Sequence, residues 1–199
     1  NQWRSLWIDI EVTKDIAPGN YEIEVRLKKE GDVVASAKQR LTVIGVELPK
    51  QKIMHTEWMH ADCLADYYHV DVFSEEHWKI LENYFKEYVK RGCNMMLTPL
   101  FTSPLDTAVG LERTTTQLIK VEVVKGEYRF DFSELKRWID LCKKCGIEYY
   151  EMSHLFSQWG AKYAPKVVAE VDGKEEKIFG WHTPAVGEYT RLLKAFLPQ

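Results

Sequence analysis

Carboxylate, imidazole and indole side chains are concentrated in three short segments of the sequence, 53–62, 95–107 and 149–160. Each segment begins with an apolar run typical of a strand and ends in polar and aromatic residues. The third segment carries Glu151, His154, Gln158 and Trp159. Hydrogen-bonding groups beside a flat apolar ring are the combination that binds a sugar, so the three segments predict a carbohydrate site.

The three segments occupy equivalent places in a repeating strand–helix pattern. We predict parallel strands near 52–60, 93–99 and 147–153, with helical patterns between them. In a (β/α)8 barrel, the active-site residues lie at the carboxyl ends of such strands. The side chains expected to meet on that face are Asp62, Asp106, Glu151, His154 and Trp159.

Acid and base candidates follow each predicted strand. They are Glu57, His60 and Asp62 after the first strand, Asp106, Glu112 and Arg113 after the second, and Glu151 and His154 after the third. A glycosidase requires two carboxyl groups beside the scissile bond, one of them protonated. We expect Glu151 to end its strand and to face the barrel mouth. The alternative is that the side chain here points outward, towards the helix layer.

The histidines divide into two groups. Those that we interpret as structural, as a lone histidine usually is, are His55, His69, His77 and His182. For His60 and His154, which lie at strand ends, a structural and a functional role both stay open. His60 and Asp62 have the spacing of two metal ligands, but the sequence offers no evident third ligand. We therefore predict no metal and no cofactor.

Trp159 and Trp181 are candidate stacking platforms, because a glycine beside each leaves space for a ligand over the ring. Core burial is the rival interpretation for Trp181. In the long polar stretch after the second predicted strand, Arg113 and Gln117 are candidates to bind hydroxyl groups or to hold Asp106 in place.

Composition limits the classes of partner. The 199 residues carry a net charge of -3 and no dominant cluster of Lys and Arg, which argues against nucleic acid. No apolar run reaches the roughly 18 residues of a membrane span, so no membrane partner is predicted. Aromatic residues make up 13% of the chain, which suits either carbohydrate binding or a large core. The expected partner is a carbohydrate.

The four cysteines are Cys63, Cys93, Cys142 and Cys145. The last two have the spacing of a redox or zinc pair, but no second pair completes a zinc site. We interpret them as reduced, metal-free residues that pack in a core. Free cysteines favour a reducing, cytoplasmic compartment, while a secreted location stays open for a hydrolase of glycans.

The chain changes character near residue 47. Residues 1–47 predict only β structure, with alternating strands near 6–11, 21–27 and 41–46 and turns at 18–20 and 30–32. Three or four antiparallel strands are too few for a sandwich of usual size. We interpret 1–47 as the end of an antiparallel β-sandwich domain.

Residues 48–199 predict an α/β domain. Ser74 is expected to cap a helix that ends at Gly92. The sequence from Asp131 to Glu134 has the form of a capping box, and its helix should end at Gly146. A last helix is expected to start near Pro184.

Three βα units are fewer than the eight that close a barrel. We therefore predict that 48–199 is the truncated N-terminal part of a (β/α)8 TIM barrel. A barrel opened in this way leaves an unpaired strand edge and an uncovered apolar face. Self-association through that open edge is expected.

Four stretches of the second domain carry a family resemblance. They are PLFTSPLDT at 99–107, ERTTTQL at 112–118, SHLFSQWGA at 153–161 and FGW at 179–181. These stretches resemble the domain of unknown function 4091, which is related to glycoside hydrolase family 123. The resemblance covers about residues 51–199, and the β segment before it resembles the sandwich that precedes the barrel in that family.

The resemblance implies a β-N-acetylgalactosaminidase on a (β/α)8 barrel. Such enzymes retain configuration, with the acetamido group of the substrate as nucleophile and an adjacent Asp-Glu pair as its orienting and acid/base residues. The pair is expected in a Ser-Asp-Glu-Pro-like motif at the end of the next strand, after Gln199, and this sequence contains no Asp-Glu dipeptide. Only pocket walls therefore transfer to this chain.

The resulting expectation is a fragment of a glycoside hydrolase acting on an N-acetylhexosamine, inactive as it stands. The alternatives are a non-catalytic carbohydrate-binding protein and an oligomerising structural fragment without a ligand. The predicted substrate-binding residues are His60, Asp62, Asp106, Arg113, Gln117, Glu151, His154, Trp159 and Trp181.

Overall fold

The computed structural model describes residues 3–108, 110–157 and 160–199. The chain divides into two compact units, Asn1–Gln51 and Lys52–Gln199. Within the described ranges, no helix is both long and apolar enough to cross a membrane.

The first unit contains an antiparallel hairpin of β1 (Gly19–Lys29) and β2 (Asp32–Val43). Its turn residues, Glu30 and Gly31, have φ angles of 51° and 98°, as a type I′ turn requires. The turn predicted at 30–32 is confirmed, but the strand that follows it begins at Asp32 and not near 41. A strand near 6–11 was also expected, but those residues form none. Alternating apolar residues do not form a strand unless a partner strand completes the hydrogen-bond ladder.

The second unit combines four helices and six strands along its described residues. In chain order they are α1 (Ala61–Tyr68), α2 (Glu75–Lys90), β3 (Met95–Thr98), β4 (Lys120–Val124), β5 (Glu127–Asp131), α3 (Ser133–Cys145), β6 (Tyr149–Met152), β7 (Val167–Val171), β8 (Lys174–Phe179) and α4 (Glu188–Phe196).

β3 and β6 pair in parallel, with Leu97 opposite Glu151. The predicted parallel pairing of the last two βα units is confirmed, but the strand expected at 52–60 is wrong. The only main-chain hydrogen bonds described between that segment and the start of β3 end at the His55 carbonyl, which accepts from Asn94 and Met95 N–H at 3.0 and 3.1 Å. The Asn94 side chain adds a bond to the Ile53 carbonyl at 3.1 Å. The His55 N–H donates to the side chain of Asn94 (Oδ1, 2.8 Å). A side chain therefore replaces the main-chain acceptor that would continue the ladder.

Helix boundaries follow local chemistry. At the start of α2, the Ser74 side chain accepts from His77 N–H at 3.2 Å, as predicted for an N-cap. The predicted capping box at α3 is wrong. The Asp131 carboxylate accepts from Ser133 N–H at 2.8 Å, and Glu134 Oε2 is buried without a hydrogen-bond partner. Because the Asp131 side chain binds the N–H of Ser133, two residues later, the helix begins at Ser133 and Phe132 is its N-cap residue. The last helix begins at Glu188, four residues after Pro184.

A four-stranded mixed sheet, in the order β5-β4-β7-β8, was not predicted. β4 and β7 are parallel, while the two outer pairs are antiparallel hairpins. The hairpin β4–β5 lies between β3 and α3 in the sequence, and β7–β8 lies between β6 and α4. Both hairpins are therefore insertions into the connections that lead from a parallel strand to a helix.

Two hydrophobic cores hold the second unit together. One includes Val121, Val167, Ala169, Phe179, Tyr189, Leu192 and Phe196, from the mixed sheet and α4. The other includes Leu64, Trp78, Leu81, Phe85, Met96, Trp138 and Cys142, from the parallel pair and the first three helices. The architecture is a small α/β fold with an antiparallel hairpin, a parallel pair and a mixed sheet.

Candidate functional site

Alternation along β3 and β6 separates two faces of the parallel pair. Met96 is fully buried in the core with the helices, and Tyr150 packs against the same core. Leu97 and its neighbour Glu151 alternate with these residues and lie on the opposite face. Leu97 lines a cavity on that face. Ser153, directly after β6, lines it too, so the cavity lies at the carboxyl ends of both strands.

The cavity is small and has a mixed polar and apolar lining. Its volume is ≈ 30 Å³, enough for about one or two waters and too small for a sugar ring. The apolar lining includes Met59, Leu97, Pro99, Phe101 and Leu105, and the polar lining is His60, Asp62, Thr102, Ser103, Arg113, Thr116 and Ser153. We interpret it as the floor of a site whose walls are the residues described next.

Asp62 and Arg113 form a two-pronged ion pair beside the cavity. Arg113 Nε donates to Asp62 Oδ2 at 2.8 Å, and Nη2 donates to Oδ1 at 3.1 Å. The guanidinium also donates to the carbonyl of Leu105 at 2.9 Å and to Cys63 Sγ at 3.0 Å. Burial lowers the pKa of Arg113, but the hydrogen bond and charge of Asp62 more than offset it, so the pKa lies above its ordinary value. The pair fixes the 105–113 loop against α1.

His60 and Asp106 form a second pair at the rim. The distance from His60 Nε2 to Asp106 Oδ2 is 2.6 Å, and the carboxylate side is largely exposed. Asp106 has a φ of 55°, a left-handed conformation that aspartate tolerates better than most residues. With His60 bound to Asp106 and Asp62 bound to Arg113, the two residues with metal-ligand spacing have other partners. Across the described part of the chain, no three His, Cys, Asp or Glu residues could hold a metal ion.

Trp58 links the first segment to the third. Its indole N–H donates to Glu151 Oε2 at 3.0 Å. Its ring meets that of His154 nearly edge-on, with centroids 5.7 Å apart and planes at 70°. The His154 carbonyl accepts from Ser103 Oγ at 2.8 Å, which ties this group to the cavity lining.

The connection after β3 is anchored on the mixed sheet. Lys177 Nζ lies 2.9 Å from Glu112 Oε1, and the Lys166 amine donates to the Arg113 carbonyl. Burial lowers the pKa of Lys166. These contacts hold the loop that carries Asp106 and Arg113.

Gln117 and Trp181 lie apart from these pairs. The Gln117 amide donates to the carbonyls of Ile119 and Val168, each at 2.8 Å, and accepts from Val168 N–H at 3.0 Å. Its side chain thus joins the start of β4 to β7. The Trp181 ring packs over Gly110, where a Cβ would lie 3.3 Å from Cζ2. Trp159 lies outside the described residues.

The described cysteines are all free thiols. Burial raises the pKa of the Cys142 thiol, which disfavours the thiolate that redox and metal chemistry need.

Several site residues escaped the sequence analysis. They are Trp58, Thr102, Ser103, Thr116 and Ser153. Trp58 lies in the first of the three chemically rich segments, two residues before His60. Its position in the sequence could therefore have identified it as a candidate. The hydroxyl residues carried none, since buried Ser and Thr are recognised only by their partners.

Most of the second unit matches a known protein family. The model of the family "Glycoside hydrolase 123, catalytic domain" matches residues 58–199. The chain is also similar to the solved structure of a family 123 glycoside hydrolase from Clostridium perfringens, a protein studied for glycolipid glycan hydrolysis. The TM-score is 0.66 and the identity 21%, over 92% of this chain and 33% of that one. This likeness shows a shared fold over a third of the larger protein. No curated protein matches the chain.

Proposed function

The chain belongs to glycoside hydrolase family 123, whose catalytic domain covers residues 58–199, and on that premise we propose that it forms part of a hydrolase that cleaves glycans. The observation that carries the proposal is the grouping of three side-chain contacts beside one cavity at the carboxyl ends of β3 and β6. These contacts are Asp62–Arg113, His60–Asp106 and Trp58–Glu151.

The proposed architecture is the first part of a (β/α)8 barrel. β3 and β6 would be neighbouring barrel strands, and the extended segment before α1 would stand beside β3 in the place of the preceding strand. The two hairpin insertions then lie in successive strand-to-helix connections, which form the active-site face of such barrels. Residues 1–47 are proposed to belong to a β-sandwich, and 48–199 to the barrel.

The proposed substrate is a glycan ending in an N-acetylhexosamine, an N-acetylgalactosaminide in particular, because of the family resemblance. The similar Clostridium perfringens protein, described for glycolipid glycan hydrolysis, supports a glycan substrate. The proposed mechanism retains configuration, with the acetamido oxygen of the substrate attacking the anomeric carbon. No Asp-Glu dipeptide occurs in the 199 residues, so we assign them pocket walls and not the acid/base pair.

The proposed roles differ among the substrate-binding residues. Those on the walls and rim are His60, Asp106, Glu151 and His154, with Gln117 and Trp181 further out. Trp159 stays a proposed substrate-binding residue on the sequence alone. Asp62 and Arg113 form an ion pair with each other, so their proposed role is to fix the loop that carries Asp106.

The test compares two proteins on a chromogenic β-N-acetylgalactosaminide. We expect turnover by the complete gene product, with retained anomeric configuration in the first product seen by NMR, and none by the 199-residue chain. Binding of the sugar without turnover by the complete product would instead make it a carbohydrate-binding protein. Failure of the complete product both to bind and to turn over the sugar would reject the proposed substrate.

A further inference from the structure

We propose that Trp58 is the sugar-stacking platform of this site and that Glu151 is the residue that positions it. This inference rests on the proposed function and gives it a specific binding surface. It also gives Glu151 a role other than acid or base.

Trp58 differs from the other described tryptophans of its unit in being exposed directly before Met59 and His60, which line the cavity. It is 42% exposed, whereas Trp78 and Trp138 are 4% and 0% exposed in the helix core. The Trp181 ring is covered on one side by Gly110. A large exposed aromatic side chain with hydrogen-bonding groups nearby is the usual form of a sugar-binding surface.

The indole is exposed but held in one orientation. Trp58 lies in a segment without helix or strand, so no ladder of main-chain hydrogen bonds restrains its backbone. Its N–H is bound instead by Glu151, which belongs to a regular strand 93 residues further along the chain. The edge contact with His154 adds a second restraint. Fixing a platform before the ligand arrives lowers the entropy cost of binding.

A carboxylate suits this task because a charged acceptor makes a stronger hydrogen bond to an N–H than a neutral one. Because Glu151 Oε2 already accepts the indole N–H, the contact favours a positioning role for Glu151.

The ligand that fits is a pyranose with one C–H-rich face. That face would stack on the indole, while hydroxyl groups at the ring edge would reach the polar rim. The exposed carboxylate of Asp106 is one such group, because it is paired with His60, two residues after Trp58. A terminal N-acetylhexosamine has this combination of an apolar face and a polar edge.

The first experiment measures apparent affinity and kcat of the complete gene product with variants of both residues. Trp58→Ala should weaken affinity roughly tenfold, the effect of losing one aromatic contact. Glu151→Ala should weaken it similarly, and Glu151→Gln should restore most of that loss, because the amide oxygen still accepts from the indole. Tyr67→Ala, which removes a 74% exposed ring on α1, is the matched control and should leave affinity unchanged.

A non-additive double variant would support the pairing: Trp58→Ala with Glu151→Ala should be little worse than either alone. If Glu151→Gln loses kcat as completely as Glu151→Ala while affinity stays intact, Glu151 acts in the chemistry and the positioning role is wrong. Thermal unfolding of each variant separates these effects from loss of fold.

The second experiment does not depend on turnover. The indole N–H resonance of Trp58, assigned by its loss in Trp58→Phe, is followed by NMR during titration with methyl β-N-acetylgalactosaminide. We expect it to shift with the sugar, and to move in Glu151→Ala but little in Glu151→Gln. Sugar binding with an unresponsive Trp58 would overturn the platform and leave the proposed function standing. If the protein neither binds nor turns over the sugar, the platform and the proposed function are both wrong.

Discussion

The Asp62–Arg113 pair is nearly withdrawn from water, with side chains 7% and 11% exposed. Breaking such a pair leaves one buried charge without its partner. Asp62→Ala should therefore lower the free energy of unfolding by about 3–5 kcal/mol in urea denaturation. Glu188→Ala breaks the exposed pair with Arg191 and should cost less than about 1 kcal/mol. Equal, small losses in the two variants would show that the Asp62 pair is as weak as a surface pair.

His77 is fully buried and joins α1 to α2. Its Nδ1 accepts from Phe73 N–H at 2.9 Å, and Nε2 lies 3.0 Å from the carbonyl of Ala61. These contacts require the neutral ring with its proton on Nε2. Burial lowers the pKa of His77 below its ordinary value of 6.5, although the Ala61 carbonyl and the charge of Asp62 act in the opposite direction.

A lowered pKa in the folded state gives the sign of the pH effect. Below about pH 6.5 the unfolded chain binds the proton first, so the stability that His77 contributes is present above that pH and is lost as pH falls. We expect His77→Leu to reduce the difference in unfolding free energy between about pH 7.5 and pH 5.5. His182→Gln, at an exposed histidine, should preserve that difference. An unchanged difference in His77→Leu would show that other groups cause the acid sensitivity.

Three hairpins share one turn chemistry at the scale of elements. The turn pairs Glu30-Gly31, Lys125-Gly126 and Asp172-Gly173 all have positive φ at both positions. This is the type I′ turn, which matches the twist of paired strands and favours glycine in second place. The first turn was recognised in the sequence. The other two carry the same glycine signal and were not predicted.

Gly173 allows a direct test of this turn. Its φ is +81°, and an added Cβ would meet nothing within 4 Å, so a substitution there probes the backbone alone. Gly173→Ala should lower the free energy of unfolding by about 1–2 kcal/mol, the cost of a left-handed residue with a side chain. Asp172→Asn should be neutral or stabilising, because asparagine is preferred at that position. Denaturant midpoints measure both; a neutral Gly173→Ala would contradict the turn assignment.

At the scale of the whole second unit, the parallel pair has an open edge at β6. β6 pairs with β3, and no other strand among the described residues lies on its far side. Tyr149 and Met152 on this strand are 38% and 47% exposed. An exposed edge of this kind favours pairing with another chain.

We predict that the 199-residue chain self-associates through β6. Tyr149→Lys should reduce the apparent mass in light scattering, because a lysine on an edge strand opposes strand pairing. Tyr84→Lys replaces an equally exposed tyrosine (37%) on α2 and should leave association unchanged. A monomeric parent chain, or an equal response to both substitutions, would exclude association through this edge.

Sequence alone predicted what depends on neighbours in the chain. The amphipathic helices α2 and α3, the glycines that end them and the β1–β2 turn depend on residues within a few positions. The parallel pairing of β3 and β6 was also predicted, since two buried strands separated by a helix have few other arrangements. The resemblance of four short stretches led to the family for the same reason, because motifs are local.

Tertiary structure decided which side chains meet. The contacts His60–Asp106, Asp62–Arg113 and Trp58–Glu151 join residues 46, 51 and 93 positions apart. Two further features depend on distant residues. The two hairpins β4–β5 and β7–β8 pair into one sheet. The Asn94 side chain binds His55 N–H where a main-chain acceptor would have continued the ladder. Local pattern specifies only which face a residue occupies. The partner on that face depends on how distant segments pack, because burial and charge pairing are properties of the space that those segments enclose together.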